Sequence, residues 1–429
     1  MKVQPQNTIV IQGGHVFDPQ HSLDAVMDIF IENDTVVALG TPPQGFIANE
    51  TINARGKMVF PGFIDLNAFL GEPGFSQKGT IASETRAAAQ SGITILCSTP
   101  DSKPVIDSAT LAALVQDKAQ QAGYCRVQPI GALTAGLQGE QLSNMFALKD
   151  AGCVALSNQD ASFQDSRVIQ QCYHYAAGFD ICVFSTPLDT ALAHEGCMHE
   201  GPTSTHLGLA GNPVSAEISS MAQQLILCEE TGTKLHFSRI TSKQALDMVI
   251  SAQQKGLAVT ADVALGNLYF NDEDCADYNS LMHVTPVYRS QQDRQALLQG
   301  VNDGYLSICS NHRPHELAAK MAPFAATDAG ISVLDSFAAA IFNLVDTGKL
   351  TLAAAIGALT ALPAKAIDQP AGQIIPEGRA DLCIADMKQA CELSTEDLAS
   401  KGHNNPWLGE SLVGKVTCTI NGGHIVYRA

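Results

Sequence analysis

With 429 residues, of which 45% are hydrophobic and 16% charged, the chain has ample material for a core and falls in the ordinary globular range, away from disordered or fibrous compositions. Its formal net charge of −18 repels phosphate backbones and anionic lipid surfaces, so neither nucleic acid nor membrane is an expected partner. Residues 1–25 lack a charged segment followed by an apolar run, no stretch approaches the roughly 18 apolar residues of a membrane span, and the 12 cysteines form no CxxC pair, so a cytoplasmic protein with reduced, core-packed thiols is expected.

The chain opens on strand-like runs at residues 8–12, 15–17, 29–32 and 35–39, separated by turn signals at Gly13-Gly14 and Asn33-Asp34. Short, buried-looking strands then alternate with amphipathic helices. The strands are predicted at 58–64, 93–97, 127–131, 154–157, 180–184, 234–237, 258–263 and 306–309. Helices are predicted between them at 81–90, 108–121, 166–176, 215–231, 242–255 and 291–300. Eight such units in a row point to an α/β fold, a (β/α)8 TIM barrel, whose chemistry would sit where strands end and βα loops begin. An Ala-rich helix at 352–361, stopped by Pro363, follows the barrel. The end of the chain returns to strands at 380–385, 415–420 and 424–427, with a turn at Asn421-Gly422-Gly423. Two domains are therefore expected: a barrel over 58–369, and a small β-sandwich built from 1–57 and 370–429.

The segment Pro61-Gly62-Phe63-Ile64-Asp65-Leu66-Asn67-Ala68-Phe69-Leu70-Gly71-Glu72-Pro73-Gly74 resembles the first barrel strand of dihydroorotases and related cyclic amidohydrolases. Residues 80–92 look like that family's first barrel helix, and Met198-His199-Glu200-Gly201-Pro202 with Leu207-Gly208-Leu209 like its strand-five loop. Asn311-His312-Arg313-Pro314-His315 is similar to its strand-eight signature, and Trp407-Leu408-Gly409 and Asn421-Gly422-Gly423 also fit. The resemblance keeps order and spacing over nearly the whole chain and implies the amidohydrolase type of barrel. It is closest to the dihydroorotase branch in which an Asp, not a modified Lys, follows strand four.

In that family a His-x-His pair after strand one, an acidic or modified-lysine ligand after strand four, and histidines after strands five and six hold zinc. An Asp after strand eight ligates metal and acts as general base. Zinc lowers the pKa of a bound water, and the carboxylate moves its proton. Carried over, these positions are Asn67, Phe69, Asn158, Thr186, Arg239 and Asn311. All six differ from the family's residues. Phenylalanine cannot ligate a metal, a fixed guanidinium opposes one, and asparagine is no base near neutral pH. The substrate-side positions change too: Gly71 stands for an Arg, Asp101 for an Asn and Thr285 for an Asn. What the resemblance implies is thus a non-catalytic member without zinc.

His312 and His315 lie three apart in the strand-eight loop and, with Asp65, are the remaining candidates for a residual or relocated site. His194-Glu195 and His199-Glu200 lack the HExxH spacing of a helical zinc site. His236 reads as a packed histidine pointing away from the mouth, and Arg239 is expected to pair with Asp65 or another carboxylate. The changed positions resemble those of inactive dihydroorotase-like chains that assemble with the catalytic chain of aspartate transcarbamoylase in bacterial pyrimidine biosynthesis. The resemblance therefore implies a structural subunit, dimeric within a larger hetero-oligomer. The alternatives are an active dihydroorotase or other cyclic amidohydrolase with an unorthodox site, and a subunit that senses a small molecule at the barrel mouth.

Overall fold

The computed structural model of the protein describes residues 7–163 and 165–429. Eight parallel strands form a ring: β1 (Phe63–Ala68), β2 (Ile93–Ser98), β3 (Arg126–Ala132), β4 (Ala155–Ser157), β5 (Cys182–Ser185), β6 (Leu235–Phe237), β7 (Val259–Ala264) and β8 (Leu306–Cys309). Successive strands pair from β1 to β8, and a bridge between Ala68 and His312 brings the last strand back to the first. Each strand turns one set of side chains outward onto helices and the other into the barrel. The outward set, with Leu235, Phe237, Val263 and Ile308, belongs to the main apolar cluster that includes the helices. The inward set includes Ile64, Leu66, Ile95, Cys97, Ile130, Cys182, Phe184 and Cys309.

All eight predicted barrel strands are present, but the first begins later than the sequence suggested. Met58–Pro61 is a separate strand that pairs antiparallel with Leu382–Glu392 and parallel with Thr8–Asp18. The apolar run continues without a break through residues 58–64, and Gly62 is where the chain leaves one layer for the other. The boundary between the two units thus falls near Gly62 and not before Met58. The two chain ends build a separate β-layer, hydrogen-bonded as one eight-stranded sheet over its own apolar cluster of Ile9, Ile11, Ile29, Val59 and Ile384.

Three local readings change. Gly13-Gly14 is no turn: Thr8–Asp18 is one strand, and the pair sits at a register shift against Leu23–Glu32, a bulge that glycine's positive φ of 65° at Gly13 permits. Pro363 does not end a helix. Leu352–Leu359 stops at Thr360, and Pro363 lies in the first turn of the next helix, Ala361–Ala366, where a missing N–H costs no helical hydrogen bond. The helix Phe337–Asp346 escaped prediction because it is apolar on nearly every side, with no polar face to reveal a period.

All 12 cysteines are unpaired. Among the described residues no helix is long and apolar enough to cross a membrane.

Candidate functional site

The strand ends converge at the mouth of the barrel, and Arg239 fills the centre. It follows β6 in a left-handed backbone conformation, with φ of 60°, and its side chain is only 1% exposed. The guanidinium donates to Asn311 Oδ1 at 2.9 Å, to Asp160 Oδ1 at 2.7 Å and to the Thr186 hydroxyl. Asn311 in turn donates to the Thr285 carbonyl at 3.0 Å. One cation therefore ties together the loops after β4, β5, β6 and β8. Gln159 and Asn311 share its left-handed conformation, each with φ of 51°. Such backbone outside glycine costs energy and collects at functional sites.

The other positions lie around this centre. Asn158 accepts from the Thr134 hydroxyl at 2.8 Å and from its N–H. Asn67 reaches Ser238 across the barrel at 3.5 Å. The Phe69 ring lies under the Arg313 guanidinium, 4.7 Å from its centroid, and Arg313 makes an ion pair with Asp101. Three buried N–H donors at the mouth, Arg239 Nε, Asn158 Nδ2 and Gln159 Nε2, have no partner among the described residues.

Arg239 pairs with Asp160, not Asp65. Asp65 instead accepts from Ser310, from the N–H at 2.8 Å and the hydroxyl at 2.5 Å, which joins β1 to the end of β8. Burial pushes its carboxyl up from 3.8 to about 6. Between these values the folded protein holds a proton that the unfolded chain releases, so this group's contribution to stability falls as pH rises from about 4 to about 6. Asp65→Asn is expected to gain stability relative to the parent across that window. Urea unfolding of both proteins at pH 4 and pH 7 checks this, and an unchanged difference would contradict it.

His312 is a structural residue. Its Nδ1 accepts the Val333 N–H at 3.1 Å, so Nε2 carries the proton and donates to Glu84 at 2.8 Å, with both side chains fully buried. His315 accepts from the Lys78 ammonium at Nδ1 and donates to the Ala329 carbonyl through Nε2, at 2.9 and 3.0 Å. Burial lowers its pKa to about 4. Neither ring has a nitrogen to spare for a metal. Gly71 has φ of 74°, and a Cβ there would run into the backbone of Gly79. An arginine cannot occupy this position with the present backbone. Gly71→Ala is expected to cost about 2 kcal/mol or more, read as a lowered Tm.

His236 is a packed histidine, fully buried as expected, but its direction is the reverse of the expected one: it points into the barrel, stacked on Phe184 with ring centroids 4.4 Å apart. Its nitrogens meet Thr260 at 2.8 Å and Asp262 at 2.9 Å, and Asp262 also accepts the Arg239 backbone N–H. Period-two alternation showed that His236 and its neighbours face opposite ways. It did not show which side was the interior. Asp160, Arg313, Asp262 and Glu84 were also missed as parts of the site. The nearest signal was the position of Asp160 two residues after Asn158, and of Arg313 between His312 and Pro314.

As a donor set for zinc these residues do not fit. A permanent cation occupies the point of convergence, and the other ligand positions offer three asparagines, one threonine and a phenyl ring. Among the described residues no group of three or more His, Cys, Asp or Glu is placed to hold a metal ion.

A family model described as dihydro-orotase-like matches residues 56–245. The chain is 44% identical to the dihydroorotase-like protein of Pseudomonas aeruginosa over 98% of its own length and 100% of that protein. It is 34% identical to the dihydroorotase of Trichlorobacter lovleyi over 98% and 99% of the two chains. Among solved structures it superposes on an L-hydantoinase (dihydropyrimidinase) from Arthrobacter aurescens with a TM-score of 0.88 at 19% identity, covering 98% and 96% of the two chains. That likeness carries the barrel fold. The expectation that the chain is not an enzyme is overturned here, because end-to-end relatives at 34% identity are named dihydroorotase. Matched over its whole length by these relatives, the chain belongs to the dihydroorotase-like family.

Proposed function

We propose that the chain acts in cytoplasmic pyrimidine biosynthesis as an assembly subunit for the catalytic chain of aspartate transcarbamoylase, dimeric within a mixed oligomer, and that its mouth holds no zinc. The observation that carries this reading is the Arg239 cluster. It uses the polar groups of four loops to fasten the barrel top, an arrangement suited to a rigid scaffold. The test is co-expression with the aspartate transcarbamoylase of the same organism. A co-purifying complex whose transcarbamoylase activity is lost when this chain is omitted is expected. Separate elution with a fully active transcarbamoylase would refute the proposal. Elemental analysis of the purified complex is expected to find no stoichiometric zinc.

A second reading is cyclic-amide chemistry at the same mouth. The names of the relatives favour it, as do the unpartnered donors Arg239 Nε, Asn158 Nδ2 and Gln159 Nε2, each able to bind a carbonyl or carboxylate oxygen. Turnover of dihydroorotate or carbamoyl aspartate by the purified chain, lost in Asn158→Ala, is its expected sign. No turnover in either direction, alone or in the complex, would remove it.

A further inference from the structure

A cavity of about 920 Å³ opens at the opposite end of the barrel from the mouth. Val154, Ile181, Lys234, Ala258 and Tyr305 line it, the residues that lead into β4 to β8. It continues into the barrel, where Gln128, Cys182, Thr260 and Ser307 form its inner wall. Barrel interiors are usually filled by bulky branched side chains. Here one layer is small and polar, and the helix Ala361–Ala366 contributes Ala364 and Ala366 to the interior cluster without closing the rest.

The entrance is positive in a chain that is strongly negative. Lys149, Lys234 and Lys365 face Asp180 and Asp368. Lys234 engages both carboxylates, at 3.0 and 3.3 Å. Lys149 bonds backbone carbonyls at Phe179 and Asp180, and the Lys365 ammonium, on an exposed side chain, has no hydrogen bond or ion pair among the described residues. Two ammonium groups are thus left without a carboxylate at the rim of a concave site, where a field of one sign is focused. Gln116 and Gln253, on the helices Ala109–Ala122 and Lys243–Gln254, flank the opening, and on the strands inside, the Gln128 amide and the hydroxyls of Thr260 and Ser307 offer both donors and acceptors, beside apolar Val259 and Ile367. The volume exceeds what a bare anion needs and lies in the range of roughly 300–1,000 Å³ typical of small-molecule sites.

We propose that this cavity binds a small organic phosphate with a hydrogen-bonding ring, a nucleoside monophosphate by class. The dianionic phosphate sits between Lys149 and Lys365, and the ring lies against the Gln128 amide and the Thr260 and Ser307 hydroxyls inside the barrel. Thr260 reports occupancy toward the mouth, since it bonds His236, which bonds Asp262, which holds the Arg239 backbone.

The test is calorimetry on the whole chain with uridine and adenosine monophosphates and with inorganic phosphate. Saturable binding of a nucleotide is expected, weakened about tenfold or more in Lys149→Glu/Lys365→Glu, with inorganic phosphate weaker than the nucleotide. Both lysines are exposed, so the variant should fold, and its circular dichroism spectrum checks that. Thr260→Val, which keeps the shape and removes the hydroxyl, serves as a second variant and is expected to weaken binding. Hydrogen exchange should show nucleotide protection at residues 254–261. No heat at millimolar nucleotide, unchanged affinity in the double variant, or protection confined to residues 310–316 at the mouth would overturn the proposal.

Discussion

Arg239→Met is expected to destabilise the protein by about 3–5 kcal/mol, a shift that urea unfolding would register as a clear fall in midpoint. Removing one member of a buried ionic cluster leaves the others desolvated and unpaired, and that penalty exceeds the lost attraction. Asn311, Asp160 and Thr186 would all lose the donor they face. Asp160 is 30% exposed and can recover water, which favours the lower end of the range. Asp160→Asn should therefore cost less, because the guanidinium keeps its other acceptors and an amide oxygen remains. Arg239→Lys should fall near the methionine variant, since a single ammonium cannot span acceptors on three loops. A loss below about 1 kcal/mol for Arg239→Met would show that the cluster does not fasten the mouth.

Glu84→Ala is expected to have an effect of similar size, about 3–5 kcal/mol, at a point away from the centre. Glu84 lies in the helix Ile81–Gln90, fully buried, and meets His312 Nε2 at 2.8 Å. Its other oxygen accepts from Ser83 at 2.8 Å and from the Lys401 N–H at 3.2 Å. The carboxylate thus joins the first barrel helix to the loop after β8 and to the C-terminal segment. Glu84→Gln keeps acceptors for part of this set and should cost less. A double-mutant cycle with His312→Ala isolates the pair, and a coupling near zero would contradict a direct interaction.

These two clusters show where sequence reasoning stops. The ring of strands could be read because each buried strand is a short run of apolar, often β-branched residues, and eight such runs between amphipathic helices suit few other folds. The six mouth positions could be located by resemblance, which fixed residue types such as Arg239 and Asn311. Their partners could not. Arg239 and Asp160 are 79 residues apart, Asp101 and Arg313 are 212 apart, and Glu84 and His312 are 228 apart. No local pattern joins such residues. The closing of the barrel brings them within reach, and only three-dimensional geometry shows that Arg239 chose Asp160 over Asp65. The same holds for His236, whose alternation with its neighbours was plain while the meaning of inside and outside was not.

Inactivity does not follow from the changed positions. Asn67, Phe69, Asn158, Thr186, Arg239 and Asn311 lack the groups a zinc hydrolase needs, which establishes only what that one mechanism is missing. Relatives named dihydroorotase at 34% identity span the same length, so membership of the family does not imply a silent mouth.

The fastening of the barrel top by Arg239 also bears on how the chain matures. Every part of the clasp, from guanidinium to amide and carboxylate, is already present when the ribosome releases the polypeptide. The clasp draws only on the chain's own side chains, so it forms as the loops after β4, β5, β6 and β8 come together, and its timing follows the folding of the barrel.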